Sequence, residues 1–223
     1  MSFGIIVYTG EKFNYAEKGV FLFRCLKSIE RQTEKAETVV LCHKDDKLTL
    51  EAMDKMNVAT ATFKNPAKGM NDCIRGLDAT HFVIARYDSI FAPEAVRTFS
   101  RSKDGCSMVF NASARTAKGA TEFAPIYETV TKENQLNTSL NVWNMTFDRQ
   151  VIEKGKIRFY DFKYPDQYLY IARYMALCQK VEYENSVQMC LDRSMTISLK
   201  MKAGFYKDRN AEILGTARFL KKK

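Results

Sequence analysis

Apolar and polar positions follow two periods along the first hundred residues. Phe3-Gly4-Ile5-Ile6-Val7-Tyr8 is a continuous apolar run closed by Thr9-Gly10, the pattern of a strand covered on both faces in a parallel sheet. Leu22, Leu26 and Ile29 then recur at helical spacing with Arg24, Lys27 and Arg31 between them, which predicts an amphipathic helix from about Tyr15 to Gln32. Thr38-Val39-Val40-Leu41-Cys42 predicts a second buried strand, and the polar turn His43-Lys44-Asp45-Asp46 leads into a helix around Leu50 to Met56. Val58 to Phe63 reads as a third strand, Met70 to Leu77 as a helix, and Phe82 to Ala85 as a fourth strand, with Pro93 suited to the first turn of the next helix. This alternation predicts an α/β fold with a mixed, mostly parallel central sheet flanked by helices.

The pattern changes beyond Ser100. Cys106 to Phe110 is strand-like, Gly119 to Thr131 alternates irregularly around Pro125 and is expected as an antiparallel extension, and Val142 to Phe147 reads as a further strand. Asp148 to Lys154 predicts a short helix, and Tyr164-Pro165-Asp166 opens another that carries Leu169, Ala172, Arg173 and Ala176. Val181 to Ile197 holds two short apolar stretches, and Ala211 to Leu220 has the pattern of a helix. We expect one domain over residues 1–223, with a change of character near residue 100.

Composition narrows this only in part. The chain has 223 residues, is 46% hydrophobic and carries a net charge of +9, enough apolar material for one sizeable core and a charge that favours anionic partners. Cys25, Cys42, Cys73, Cys106, Cys178 and Cys190 form no CxxC pair and sit mostly in apolar runs, as reduced, buried thiols do. His43 and His81 are the two histidines, fewer than a zinc site needs from imidazole alone. No secretory leader or membrane-spanning run is visible, so the expected place is a cytoplasm, the host's if the protein is viral, with peripheral membrane contact open. Trp143 and the tyrosine-rich segment Tyr160 to Tyr174 are interleaved with aliphatic residues and read as core.

The residues with chemical potential begin at Arg86-Tyr87-Asp88-Ser89. A carboxylate at the C-terminal mouth of a buried strand, just before a loop that enters a helix, stands where open α/β sheets bind their ligands. Asp166 is the second carboxylate of interest, at a helix start. Lys64, Lys68, Arg115 and Lys118 fall in segments expected near the same sheet edge and form a candidate basic rim of the cleft.

Four blocks of the chain resemble family 2 glycosyltransferases with the GT-A fold: Ile5-Ile6-Val7-Tyr8-Thr9, Cys25-Leu26-Lys27-Ser28-Ile29-Glu30-Arg31-Gln32-Thr33, Asn71 through Val96, and Pro165-Asp166 with Arg173. The resemblance spans most of Ser2 to Ser198. It implies transfer of a sugar from a nucleotide-diphospho-sugar to a hydroxyl, most simply with inversion. It places Val7, Tyr8, Thr9, His43 and Asn71 at the nucleotide, Asp88 and Arg86 at the diphosphate, Asp166 as catalytic base, and Arg193 as a late diphosphate contact.

Departures from the family pattern are equally specific. Where two acids separated by one position are usual, this chain has Arg86-Tyr87-Asp88, and where an acid usually follows the second strand it has Cys42-His43. Asp88 is therefore expected to hold Mg2+ or Mn2+ weakly, together with the diphosphate and waters, unless the Arg86 guanidinium replaces the ion. For the acceptor, the charge favours a modified, hydroxymethylated base in DNA, as in phage DNA-glycosylating enzymes. The alternatives are a lipid-linked glycan or surface polysaccharide as acceptor, a non-catalytic binding module on the same fold, and a nucleotidyltransferase-like enzyme on a related α/β sheet, disfavoured because Thr9-Gly10-Glu11-Lys12 lacks a glycine-rich phosphate loop.

Overall fold

The computed structural model describes residues 2–10, 16–115, 123–125, 142–160 and 168–192. The first half is a regular alternation: β1 (Phe3–Tyr8), α1 (Ala16–Glu30), β2 (Glu37–His43), α2 (Lys47–Lys55), β3 (Ala59–Phe63), α3 (Pro66–Gly76), β4 (His81–Arg86), β5 (Ser89–Phe91) and α4 (Ala95–Phe99). The second half adds β6 (Cys106–Arg115), β7 (Phe123–Pro125), β8 (Thr146–Asp148), α5 (Arg149–Lys154), α6 (Tyr168–Met175) and β9 (Lys180–Asp192).

Two sheets result. The central one has the order β3-β2-β1-β4-β8. Its first four strands are mutually parallel, and β8 runs antiparallel to β4. The second sheet has the order β5-β9-β6-β7, and its β5 follows β4 after only two residues, Tyr87 and Asp88. The chain thus leaves one sheet and enters the other through the turn singled out by sequence. The sheets also meet where Val109 bridges Met145 and the Phe110 N–H donates to the Asn144 carbonyl at 3.0 Å.

The apolar runs predicted as buried strands are buried. Ile5, Ile6 and Val7 of β1 and Phe82, Ile84 and Ala85 of β4 have no exposure, and their cluster continues through Phe99, Phe110, Phe147, Tyr170 and Tyr174 to Leu191. Trp143 and Tyr170 are core, as their aliphatic neighbours suggested. Gly69 lets α3 lie against β3, since a Cβ there would come to 2.3 Å from the Phe63 Cβ.

Four expectations change. The strand expected over Val142 to Phe147 is β8 at Thr146–Asp148, with Met145 in an isolated bridge before it. α3 starts at Pro66 rather than Met70, because the Asn65 side chain accepts the Lys68 N–H at 2.9 Å and Pro66 fits the first turn. The stretch expected to hold two short apolar segments is, as far as Asp192 where the described residues end, one 13-residue strand, β9, whose polar stretch Glu182 to Ser186 interrupts the apolar run. The main partner of β6 is β9, and it is parallel; the expected antiparallel extension is represented by β7 alone among the described residues. The predicted helix at Ala211 to Leu220 lies outside the described residues.

Candidate functional site

In a parallel sheet every strand presents its C-terminal end to the same edge, so Tyr8, His43, Phe63 and Arg86 collect there. Tyr8 stacks between Phe63 and Trp143, with ring centroids 5.7 and 6.1 Å away, and the His43 ring meets Phe63 edge-on at 5.5 Å. These rings form the floor of the edge. The turn after β4 forms its corner.

That corner is dominated by one ion pair. Arg86 Nε donates to Asp88 Oδ1 at 2.9 Å and Arg86 Nη2 to Asp88 Oδ2 at 2.8 Å, a bidentate, charge-assisted pair roughly twice as strong as neutral hydrogen bonds. The Asp88 side chain is 7% exposed and that of Arg86 23%, so the guanidinium is the solvent-facing member. The backbone is pinned as well: the Arg86 N–H donates to Ser89 Oγ at 3.1 Å and the Tyr87 N–H to the Tyr8 carbonyl at 3.1 Å.

Helix α1 holds this corner from behind. Cys25 Sγ donates to the Arg86 carbonyl, Ser28 Oγ accepts the Phe91 N–H at 3.1 Å, and Gln32 binds the Ala92 carbonyl and the Val96 N–H at 2.8 and 3.0 Å. The Thr33 N–H reaches the Pro93 carbonyl. Cys25 and Ser28 share one face of α1 and Gln32 follows just beyond its end, so two blocks of the resemblance, apart in sequence, form a single hydrogen-bonded unit. Burial, and then the Asp88 charge beside it, push the Cys25 thiol far above its ordinary range, which leaves it a packing group rather than a nucleophile.

A second ion pair lies at the same edge. Lys18 Nζ, 6% exposed, is 2.6 Å from Asp46 Oδ2 and sits 5.9 Å from the centre of the Tyr87 ring. Asp46 also caps α2 by accepting from the Thr49 N–H and hydroxyl. Sequence reading missed Lys18, whose place on α1 gave no apolar signal. Asp45, by contrast, is half-exposed and pairs with Lys44 at 3.2 Å.

The expected nucleotide residues divide. Val7 and Thr9 are fully buried, and the Val7 side chain belongs to the core, so only its backbone is available at the edge. Thr9 Oγ1 is buried without a hydrogen-bond partner among the described residues. The His43 side chain is 20% exposed and its Nδ1 accepts the Asp45 N–H at 3.2 Å. Asn71 is a clamp: Nδ2 donates to the Phe159 carbonyl at 2.9 Å and Oδ1 accepts the Phe159 N–H at 2.8 Å. Lys64 and Lys68 are exposed beyond β3 and in the first turn of α3. Asp166, Lys118, Arg193 and the side chain of Arg115 lie outside the described residues. On either side of Asp166 in sequence, Arg173 donates to the Tyr160 hydroxyl and its guanidinium lies 5.7 Å from that ring's centre.

A cluster able to hold a metal ion exists elsewhere. His81, Asp104 and Asp148 bring one ligand atom each within 4.8 Å of one another. His81 starts β4 and pairs in register with Asp148, which puts the cluster at the opposite edge, roughly 17 Å from Arg86 along the strand. Both Asp148 oxygens already accept backbone N–H groups, from Gln150 at 2.7 Å and Gly105 at 2.6 Å.

No family model matches the chain and no curated protein matches it by sequence. Solved structures do. Residues 1–349 of TarS from S. aureus, in complex with UDP-GlcNAc, superpose with a TM-score of 0.73 at 13% identity, over 96% of this chain and 66% of that one. A Pyrobaculum calidifontis mannosyltransferase in complex with GDP-Man and Mn2+ gives 0.61 at 13% identity, over 99% and 64%. The 4-diphosphocytidyl-2C-methyl-D-erythritol synthase of Anaerococcus prevotii gives 0.53 at 14% identity, over 98% and 96%. The chain therefore spans no more than about two thirds of the glycosyltransferase chains it matches, and what it shares with them is the GT-A fold, a mostly parallel central sheet with helices.

Proposed function

We propose that the protein is a glycosyltransferase that takes a sugar from a nucleotide-diphospho-sugar and attaches it, with inversion, to a hydroxyl acceptor. The observation that carries this reading is the hydrogen-bonded corner at the junction of the two sheets, which holds a partly exposed cation where open α/β sheets receive their ligands. The neighbours bound to UDP-GlcNAc and GDP-Man support the same ligand class.

In this reaction the bond from the acceptor oxygen to the sugar C1 forms as the bond from C1 to the phosphate oxygen breaks. The electron pair leaves with the nucleoside diphosphate, and the acceptor's proton goes to the Asp166 carboxylate. Arg86 faces the charge that develops on the leaving phosphate, where a preorganised donor has its largest effect. The aromatic floor of Tyr8, Phe63 and His43 lies where the nucleoside would rest. A divalent ion does not fit Asp88, whose two oxygens are both engaged by Arg86 and whose partner position two residues earlier is the arginine itself.

For the acceptor we place a hydroxymethylated base in DNA first, supported by the net charge of +9 and by exposed Lys64 and Lys68 next to the sheet edge. A thermal-shift series with UDP-, GDP-, CDP- and dTDP-sugars tests the donor reading. One nucleotide sugar should raise the melting temperature progressively with the logarithm of its concentration above the dissociation constant, as a ligand specific to the native state does. No shift with any donor would refute it.

A further inference from the structure

We infer that the Arg86–Asp88 pair binds the donor diphosphate without a metal ion. This rests on the donor reading above and adds to it the chemistry of the diphosphate contact.

Charge balance comes first. Two carboxylates holding a divalent cation sum to zero, and so do one guanidinium and one carboxylate. The substitution at position 86 therefore keeps the formal charge of a loaded two-acid site while removing the need to recruit an ion. Geometry comes second. A guanidinium carries five N–H donors in a fixed plane; two go to Asp88, and the other three find no acceptor among the described residues. Asp88 fixes the plane of the fork, and the fork's remaining edge belongs to the more exposed side chain, at 23% against 7%. Bidentate recognition of phosphate oxygens is what such an edge does well.

The competing arrangement, an ion on Asp88, would have to break one or both charge-assisted bonds and set a divalent cation beside the guanidinium. The other cluster able to hold an ion, at His81, Asp104 and Asp148, is at the far edge of the sheet. The Arg86 backbone is fixed as well: its N–H is held by Ser89 Oγ and its carbonyl by Cys25 Sγ, so α1 and the turn place the root of the side chain while the two bonds to Asp88 orient its guanidinium.

Calorimetric titration of the wild-type protein with UDP, GDP, CDP and dTDP, once in excess chelator and once in Mn2+, tests this directly. The expected result is binding of at least one nucleoside diphosphate with a dissociation constant that agrees within about twofold between the two conditions. Arg86→Gln should weaken that binding by about tenfold or more, the size of a lost charge-assisted pair of contacts, in a protein whose melting curve stays cooperative. Arg86→Asp restores two acids and should bind only when Mn2+ is present. Wild-type binding that chelator weakens tenfold or more would overturn the inference while leaving the donor reading intact. Failure of every nucleoside diphosphate to bind in either condition would overturn the donor reading and this inference with it. The chelator comparison uses the native chain, so it decides the matter even if Arg86→Gln does not fold.

Discussion

Gln32 and Val96 stand 64 residues apart, and Oε1 of the buried Gln32 accepts the Val96 N–H at 3.0 Å. The same amide donates to the carbonyls of Ala92 and Ser28 at 2.8 and 3.0 Å. One side chain thereby joins the end of α1 to the loop between β5 and α4, directly behind the Arg86–Asp88 corner.

Truncating this side chain leaves the buried Val96 N–H without its partner, while the Ala92 carbonyl keeps the Ala95 N–H at 3.0 Å. Gln32→Ala is expected to destabilise the fold by about 2 kcal/mol, within the usual cost of orphaned buried groups. Chemical denaturation measures it: the midpoint should fall with an unchanged slope. A midpoint equal to wild type would show that the contact does not support the corner.

Acid stability should carry the signature of Asp46. Burial alone would raise its pKa, but hydrogen bonds from Lys18 and Thr49 and the Lys18 charge outweigh that and hold the carboxyl below its ordinary value. A carboxylate with a depressed native pKa contributes stability that is complete above its unfolded value, about 3.9, and is lost as pH falls through the lower native value. Asp46→Asn should therefore be less stable than wild type at pH 7, with the gap closing below about pH 4. Parallel stability-versus-pH curves would count against the Lys18–Asp46 pair.

If DNA is the acceptor, the protein should retain duplex in a gel without donor, with affinity falling steeply as salt rises because phosphate contacts release counterions. Replacing Lys64 and Lys68 by alanine should lower the slope of log affinity against log salt by about 2, close to one per lost phosphate contact. No retention of modified or unmodified duplex at low salt would remove DNA and leave a glycan or lipid-linked acceptor. Among the described residues no helix is long and apolar enough to cross a membrane.

The parallel half of the fold was legible because continuous apolar runs such as Phe3 to Tyr8 and Phe82 to Ala85 have no alternative to burial on both faces. β9 was not, because its polar stretch Glu182 to Ser186 breaks both periods. At the site, Asp88 could be placed from sequence at the mouth of β4, whereas its bidentate partner could not be read: Arg86 carries the same charge whether it faces solvent or its neighbour. Cys25 and Ser28 of α1, and Gln32 just beyond it, stood out through their resemblance to a family block. Only the hydrogen bonds to residues 86–96 give that block a physical reason. Asn71 carried a nucleotide expectation and turns out to grip Phe159, 88 residues away, a pairing no local pattern encodes.

The central claim is sugar transfer with Asp166 as base, and release of free nucleoside diphosphate from a panel of nucleotide sugars, by wild type and Asp166→Asn side by side, tests it most directly. The account predicts release by wild type from at least one donor, and a fall of about a hundredfold or more in the variant with donor binding retained, the usual scale of a lost general base. Equal release by the two proteins, or none from wild type with any donor, would contradict it.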